Sequence, residues 1–144
     1  MSMTHHLDEP GAPLLFTSGA PGLVVTDVDS TLITQEVIEE LAEVAGTRER
    51  VAEITSRAMN GELEFAESLR ERVATLRGVP DSVFGDVLAS ITPTEGAREL
   101  IDAVHAAGGH FGVVSGGFEE VVAPLAASLG IDFYAANRLE VEDG

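Results

Sequence analysis

Apolar residues stand side by side in short runs near the two ends of this chain and recur at helical spacing between them. The first run, Leu23-Val24-Val25, predicts a strand over residues 22–27. Its unbroken apolarity suits a strand buried on both faces, as in a parallel α/β sheet. From Gln35 to Ser90 the period turns helical. Val37, Ile38, Leu41, Ala42 and Ala45 form one stripe, closed by Gly46. A second helix is expected over residues 47–60, stopping at Gly61. A third is expected over residues 63–76, with Phe65, Leu69, Val73 and Leu76 on one face and a stop at Gly78. Asp81 or Ser82 can cap a fourth, from Val83 to Ser90. Four short helices with no strand between them predict a small helical cap inserted after the first strand.

The pattern then returns to alternating helices and strands. Ala97, Leu100, Ile101 and Val104 make a helix stripe ended by Gly108-Gly109. His110-Phe-Gly-Val-Val-Ser115 reads as a second buried strand. Gly116-Gly117 turns into a helix with Phe118, Val121, Val122 and Leu125 facing inward; Pro124 should bend or shorten it, and Gly130 closes it. Ile131 to Tyr134 is a third strand, and residues 138–141 alternate like a hairpin arm followed by a turn. The expected organisation is a leader at 1–21, flexible because Pro10, Gly11, Pro13, Gly19 and Pro21 crowd it, an α/β core at 22–33 and 92–144, and a helical cap at 34–91. Leu14-Leu15-Phe16 can dock locally, and His5 and His6 fit tail residues better than metal ligands.

Chemistry concentrates where the first strand ends, at Thr26-Asp27-Val28-Asp29-Ser30-Thr31-Leu32. In parallel sheets ligands bind beyond the carboxyl ends of the strands. Side chains alternate along an extended chain, so Asp27 and Asp29 can aim the same way. One carboxylate can act as a nucleophile and the other can move a proton, and both attract a hard divalent cation. A bare Asp-x-Asp is more often a capped turn; the apolar strand before it and Ser-Thr-Leu after it reverse that preference. Val113-Val114-Ser115-Gly116-Gly117 repeats the logic, because a hydroxyl and close-approaching backbone N–H groups at a helix start bind anions. Together the two strand ends describe a phosphate site.

The cap adds candidates. Glu36, in a helix's first turn, either complements the helix dipole or meets a cationic group on a ligand. Arg72 suits bidentate carboxylate binding, although spacing alone favours a solvated surface charge. Met59 and Phe65 read as packing residues.

Composition narrows the partners. The 144 residues carry 25 acids against 8 bases, all arginine, for a formal net charge of −17. Such a surface argues against nucleic acid and anionic membranes, and an anionic substrate would need a cation and local donors. With no cysteine there is neither disulfide nor thiolate chemistry. No apolar run approaches membrane-spanning length, and no basic segment followed by an apolar one marks a secretory signal, so a cytoplasmic setting is expected.

Asp27-Val-Asp-Ser-Thr-Leu, Ile91-Thr-Pro-Thr-Glu-Gly and Val114-Ser-Gly-Gly-Phe, with Ser68-Leu-Arg-Glu-Arg-Val and Ala136-Asn-Arg-Leu, resemble phosphoserine phosphatases of the haloacid dehalogenase superfamily. The resemblance implies a Rossmann-like parallel sheet with a helical cap and Mg²⁺-dependent hydrolysis of phosphoserine, the last step of serine biosynthesis. By the same resemblance Asp27 becomes a phospho-aspartyl intermediate and Asp29 is the general acid and base. Both take part in holding Mg²⁺, Asp27 by its carboxylate and Asp29 by its backbone carbonyl. Glu36 faces the substrate's amino group, Arg72 holds its carboxylate, Met59 and Phe65 close over it, and Ser115 and Gly116 bind phosphate. The superfamily also has a motif with a lysine and a later Gly-Asp motif supplying a further metal ligand; this sequence contains neither. It is therefore expected to be a truncated member, with weak Mg²⁺ binding, little turnover, and an open sheet edge that favours self-association. A related phosphatase or phosphotransferase for another small phosphate ester, or a fragment that only binds, are the alternatives.

Overall fold

The computed structural model describes Gly19 and residues 21–144; the leader's docking segment at 14–16 and the His5-His6 pair lie outside the described residues. Strand β1 is Leu23–Thr26, followed by a tight helical turn at Val28–Leu32. Helices α1 (Val37–Ala45), α2 (Arg48–Met59), α3 (Phe65–Ala74) and α4 (Val83–Ser90) come next. Helix α5 (Ala97–Ala106), strand β2 (His110–Phe118), helix α6 (Glu119–Leu129) and strand β3 (Phe133–Asn137) complete the order.

The sheet is parallel throughout, in the order β1-β2-β3. The α/β class and parallel pairing expected from the sequence are those of the structure. Glycine closes helices where the pattern placed it. Gly46 sits at φ 70°, and the Thr47 N–H reaches back to the Ala42 carbonyl at 2.8 Å. Gly130 repeats the arrangement with the Ile131 N–H on Ala126 at 3.0 Å. A left-handed residue past the last turn lets the chain satisfy carbonyls that a helix end would leave unpaired.

One apolar cluster joins the layers. Phe111 and Val113 on β2 pack with Ile101 and Val104 of α5, Val121 and Leu125 of α6, and Val37, Leu41, Val51 and Val87 of the helices that follow β1. Buried residues of the helical segment thus join the apolar layer packed over the sheet. The opposite sheet face is open among the described residues. Leu23 and Val25 are 55% and 47% exposed, and the Phe133 ring lies flat over Gly112, where any Cβ would collide with it. Burial of β1 on both faces is therefore not what the structure has: the helices pack only on the Phe111–Val113 side.

Three boundaries move. Strand β2 continues through Gly116-Gly117 to Phe118, so the glycines sit in a bulge, not in a turn. Between the pairs Val114↔Ala135 and Phe118↔Asn137, four steps of β2 face two of β3. Helix α6 runs past Pro124 to Leu129, because only the Glu120 carbonyl loses its helical donor there. Strand β3 starts two residues late, and the anticipated arm at 138–141 forms no strand. Residues 138–144 run back instead, held by Glu120 on the Leu139 N–H at 3.0 Å and by the Gly144 carbonyl on the Asp81 N–H at 2.9 Å.

Candidate active site

Strand β1 ends just before Asp27, whose Oδ1 accepts the Val28 N–H at 2.7 Å, leaving the carboxylate exposed at the sheet's carboxyl edge. Val28 is fully buried and pins the turn. Asp29 leaves helical geometry at ψ 131°, and Ser30 is left-handed at φ 52°. This kink carries the chain straight into α1, where Asp29 Oδ1 accepts the first helical N–H, of Val37, at 3.4 Å. Glu36 holds the N-cap position of α1, yet its side chain caps nothing. Its Oε1 takes the Ser30 hydroxyl at 2.5 Å.

The bulge of β2 forms the facing wall. The Ser115 hydroxyl is buried and accepts the Gly117 N–H at 2.9 Å. A side chain at Gly117 would stand 3.0 Å from that hydroxyl and 3.5 Å from Asp29 Oδ2. Glycine leaves room there for the Ser115 hydroxyl, while the contact to the carboxylate would be an ordinary one. At Gly116 the nearest group is the Phe65 ring of α3, 3.5 Å from where a Cβ would sit. Phe65 is 66% exposed, so it is a side chain of the cavity mouth and not the packing residue that the α3 stripe predicted. Asn137 donates to the Gly116 carbonyl at 2.9 Å and ties β3 to the bulge.

Between these walls lies an open cavity of about 180 Å³ lined by Asp27, Asp29, Glu36, Phe65, Arg72 and Gly116, all singled out in the sequence. Ser115 does not line it; its hydroxyl accepts the N–H of Gly117, which does. Met59 is not brought to it; it is 84% exposed at the end of α2. Gly117, part of the expected phosphate site, also lines the cavity; Ile38, Leu69 and Phe118 do too and were missed as site residues. Leu69 was traceable, since it stands four residues after Phe65 and three before Arg72, on one helical face.

Three carboxylates share this space with one guanidinium. Burial, then the neighbouring Glu36 charge and more weakly that of Asp27, push the Asp29 carboxyl up to about 6; the Val37 N–H and Arg72 act against them. An acid whose folded pKa exceeds its unfolded value of 3.8 stabilises the fold below that value, and loses the contribution as pH rises through about 6. Asp29→Asn should therefore raise Tm at pH 7 in chelator-treated buffer, and flatten the fall in Tm between pH 4 and 6. A thermal melt series that leaves the wild-type slope in the variant would refute this source of the pH dependence.

Among the described residues no group of three or more His, Cys, Asp or Glu side chains is arranged to hold a metal ion, and no helix is long and apolar enough to cross a membrane.

The family profile described as haloacid dehalogenase-like hydrolase matches residues 24–144. A phosphoserine phosphatase of Streptococcus thermophilus is 56% identical over 127 residues, 88% of this chain and 59% of that protein. One of Lactococcus lactis is 54% identical over 125 residues, 87% of this chain and 58% of the relative. The solved structure titled as a phospho-aspartyl intermediate analogue of phosphoserine phosphatase superposes with a TM-score of 0.79 at 44% identity, covering 87% of this chain and 60% of that one. A substrate-bound phosphoserine phosphatase complex gives 0.80 at 42%, covering 88% and 60%. The chain thus spans somewhat under two thirds of the length of these relatives.

Proposed function

This chain belongs to the haloacid dehalogenase-like hydrolase family, and from that premise we propose that the protein is a phosphoserine phosphatase, releasing serine and phosphate. The observation that carries the reading is the convergence on one cavity of two carboxylates from the end of β1, the glycine bulge of β2, and an oppositely charged pair from the helices, Glu36 and Arg72. A substrate with a phosphoryl group, an ammonium and a carboxylate meets a counterpart for each. A sugar phosphate would leave Glu36 and Arg72 unanswered.

The chemistry we assign runs through two residues. Asp27 attacks phosphorus in line, forming an acyl phosphate as the bond to the seryl oxygen breaks. Asp29, with its carboxyl raised to about 6, donates the proton that the leaving oxygen takes. It then accepts a proton from the water that attacks the phosphoryl group, releasing phosphate and restoring Asp27. Family members of this kind use a divalent metal, and we propose Mg²⁺. The surplus of carboxylates over the single Arg72 fits a hard cation; Asp27 and the backbone carbonyl of Asp29 would hold it. When bound it would neutralise phosphoryl oxygens. We retain the division into a cap at 34–91 and a core at 22–33 and 92–144, and a cytoplasmic setting, as parts of this proposal.

A single-turnover assay of the chain with Mg²⁺ tests the reading. Phosphoserine should be hydrolysed or bound at least about tenfold better than a sugar phosphate, as expected if two charge-assisted contacts are lost. Equal handling of the two would overturn the substrate; binding without phosphate release would overturn turnover by these 144 residues.

The partner we propose besides substrate is a second copy. Among the described residues β1 pairs only with β2 and shows Leu23 and Val25 on the open face, and exposed apolar edges recruit other strands. Light scattering should report concentration-dependent association despite the charge of −17, reduced by Val25→Lys. A monodisperse monomer at all concentrations would refute it.

A further inference from the structure

Ser30 is one of two non-glycine residues with positive φ among the described residues, at φ 52° and ψ 18°. Glycine adopts that conformation without the crowding a Cβ brings, and an outlier of this kind next to a cavity calls for a reason. The backbone does not supply one. The Ser30 N–H donates to the Gln35 carbonyl at 3.0 Å, a bond that glycine would make equally. Only the hydroxyl distinguishes serine here, and it donates to Glu36 Oε1 at 2.5 Å.

Among the described residues the Glu36 carboxylate has no other hydrogen bond or ion pair. Glu36 stands at the N-cap of α1 without bonding any helical N–H, and it shares the cavity with Asp29, which it repels, and with Arg72. Without the Ser30 hydroxyl its carboxylate would be free to turn between the cavity and solvent. We propose that Ser30 is a positioning residue: its left-handed backbone aims the hydroxyl so that Glu36 is held in the cavity, which sets the site's preference for a ligand carrying a cationic group beside its phosphoryl group. The inference rests on the reading of Glu36 as the partner of the substrate ammonium, and deepens it.

The test compares the wild-type chain, Ser30→Gly, Glu36→Ala and the double variant. Phosphoserine is set against 3-phosphooxypropanoate, the same ester without the amino group. Ser30→Gly should melt no lower than wild type, since the left-handed backbone is relieved. It should nevertheless lose about tenfold in affinity or kcat/KM for phosphoserine and less than about twofold for the other ester, the size expected of one hydrogen bond to a charged group. Added to Glu36→Ala, it should change nothing further. Equal losses for both esters, or an undiminished effect in the Glu36→Ala background, would overturn the role. A second readout is independent of substrate. NMR relaxation of the Glu36 side-chain methylenes should show order in the wild type and mobility in Ser30→Gly. Unchanged order in Ser30→Gly would overturn the positioning role whatever the substrate. Loosening without any wild-type preference for phosphoserine would instead overturn the ammonium reading and with it the preference we assign, leaving only the holding of Glu36.

Discussion

Asp27→Asn should lower the single-turnover rate of phosphoserine hydrolysis by about a thousandfold or more, the scale seen when a covalent nucleophile is removed. The substitution is chosen to change chemistry and little else. Asparagine is nearly isosteric, and its carbonyl oxygen can still accept the Val28 N–H that Asp27 Oδ1 accepts at 2.7 Å. The tight turn after β1 should therefore persist. One of three carboxylates crowding the cavity loses its charge, so Tm should hold or rise. Enzyme in excess over labelled phosphoserine, quenched in acid, should give a protein-bound acyl phosphate in the wild type and none in the variant. The acid quench separates a lost nucleophile from lost binding, because binding alone leaves no covalent label. A variant with near-normal rate and label would remove Asp27 from the proposed chemistry.

The parts of this molecule that were legible in the sequence are those decided within one turn or one strand. Helix α4 was expected from Val83 to Ser90 and runs between those residues. Gly46 and Gly130 end their helices because the left-handed cap is a local device. What sequence did not reveal depends on distant partners. Strand β3 was expected from Ile131. The Asp132 side chain, however, accepts the Phe111 N–H at 2.7 Å and sits 2.8 Å from His105 Nε2, so that residue is a tie across α5 and β2, and pairing begins one residue later. Residues 138–141 alternate like a strand, yet the bonds of Leu139 to Glu120 and of Asp81 to Gly144 draw the segment against α6 and α4.

The candidate site divides in the same way. Asp27, Asp29 and Gly116 were readable because each closely follows an apolar run that announces a strand. Glu36 was left between two roles, and a helical-wheel argument cannot choose between them. The proposal that it faces a ligand turns on a hydroxyl six residues upstream, aimed by a backbone conformation that no propensity assigns to serine. Phe65 was placed in the core by its spacing with Leu69, Val73 and Leu76. The structure splits that stripe: Val73 and Leu76 pack against the apolar cluster, whereas Phe65 turns to Gly116. An apolar stripe marks a face that meets something, without saying whether it meets core or ligand.

Arg72 is where that split has its clearest functional consequence. It lies on the cavity face of α3 with Phe65 and Leu69, and its Nε donates to the Ser68 carbonyl one turn back at 3.3 Å. That bond restrains the stem and leaves the terminal nitrogens for a ligand. If they hold the substrate carboxylate, Arg72→Ala should cost phosphoserine about 1.5–3 kcal/mol, roughly 10- to 150-fold in kcat/KM. Phosphoethanolamine, which keeps the ammonium and lacks the carboxylate, should lose far less. The pH profile adds a second sign. Arg72 opposes the upward shift of Asp29, so its removal should move the Asp29-dependent limb to higher pH for both esters. The carboxylate effect should appear for phosphoserine alone. A matched loss for the two esters, with the same change in Tm, would make Arg72 a structural charge of α3 and remove it from substrate recognition.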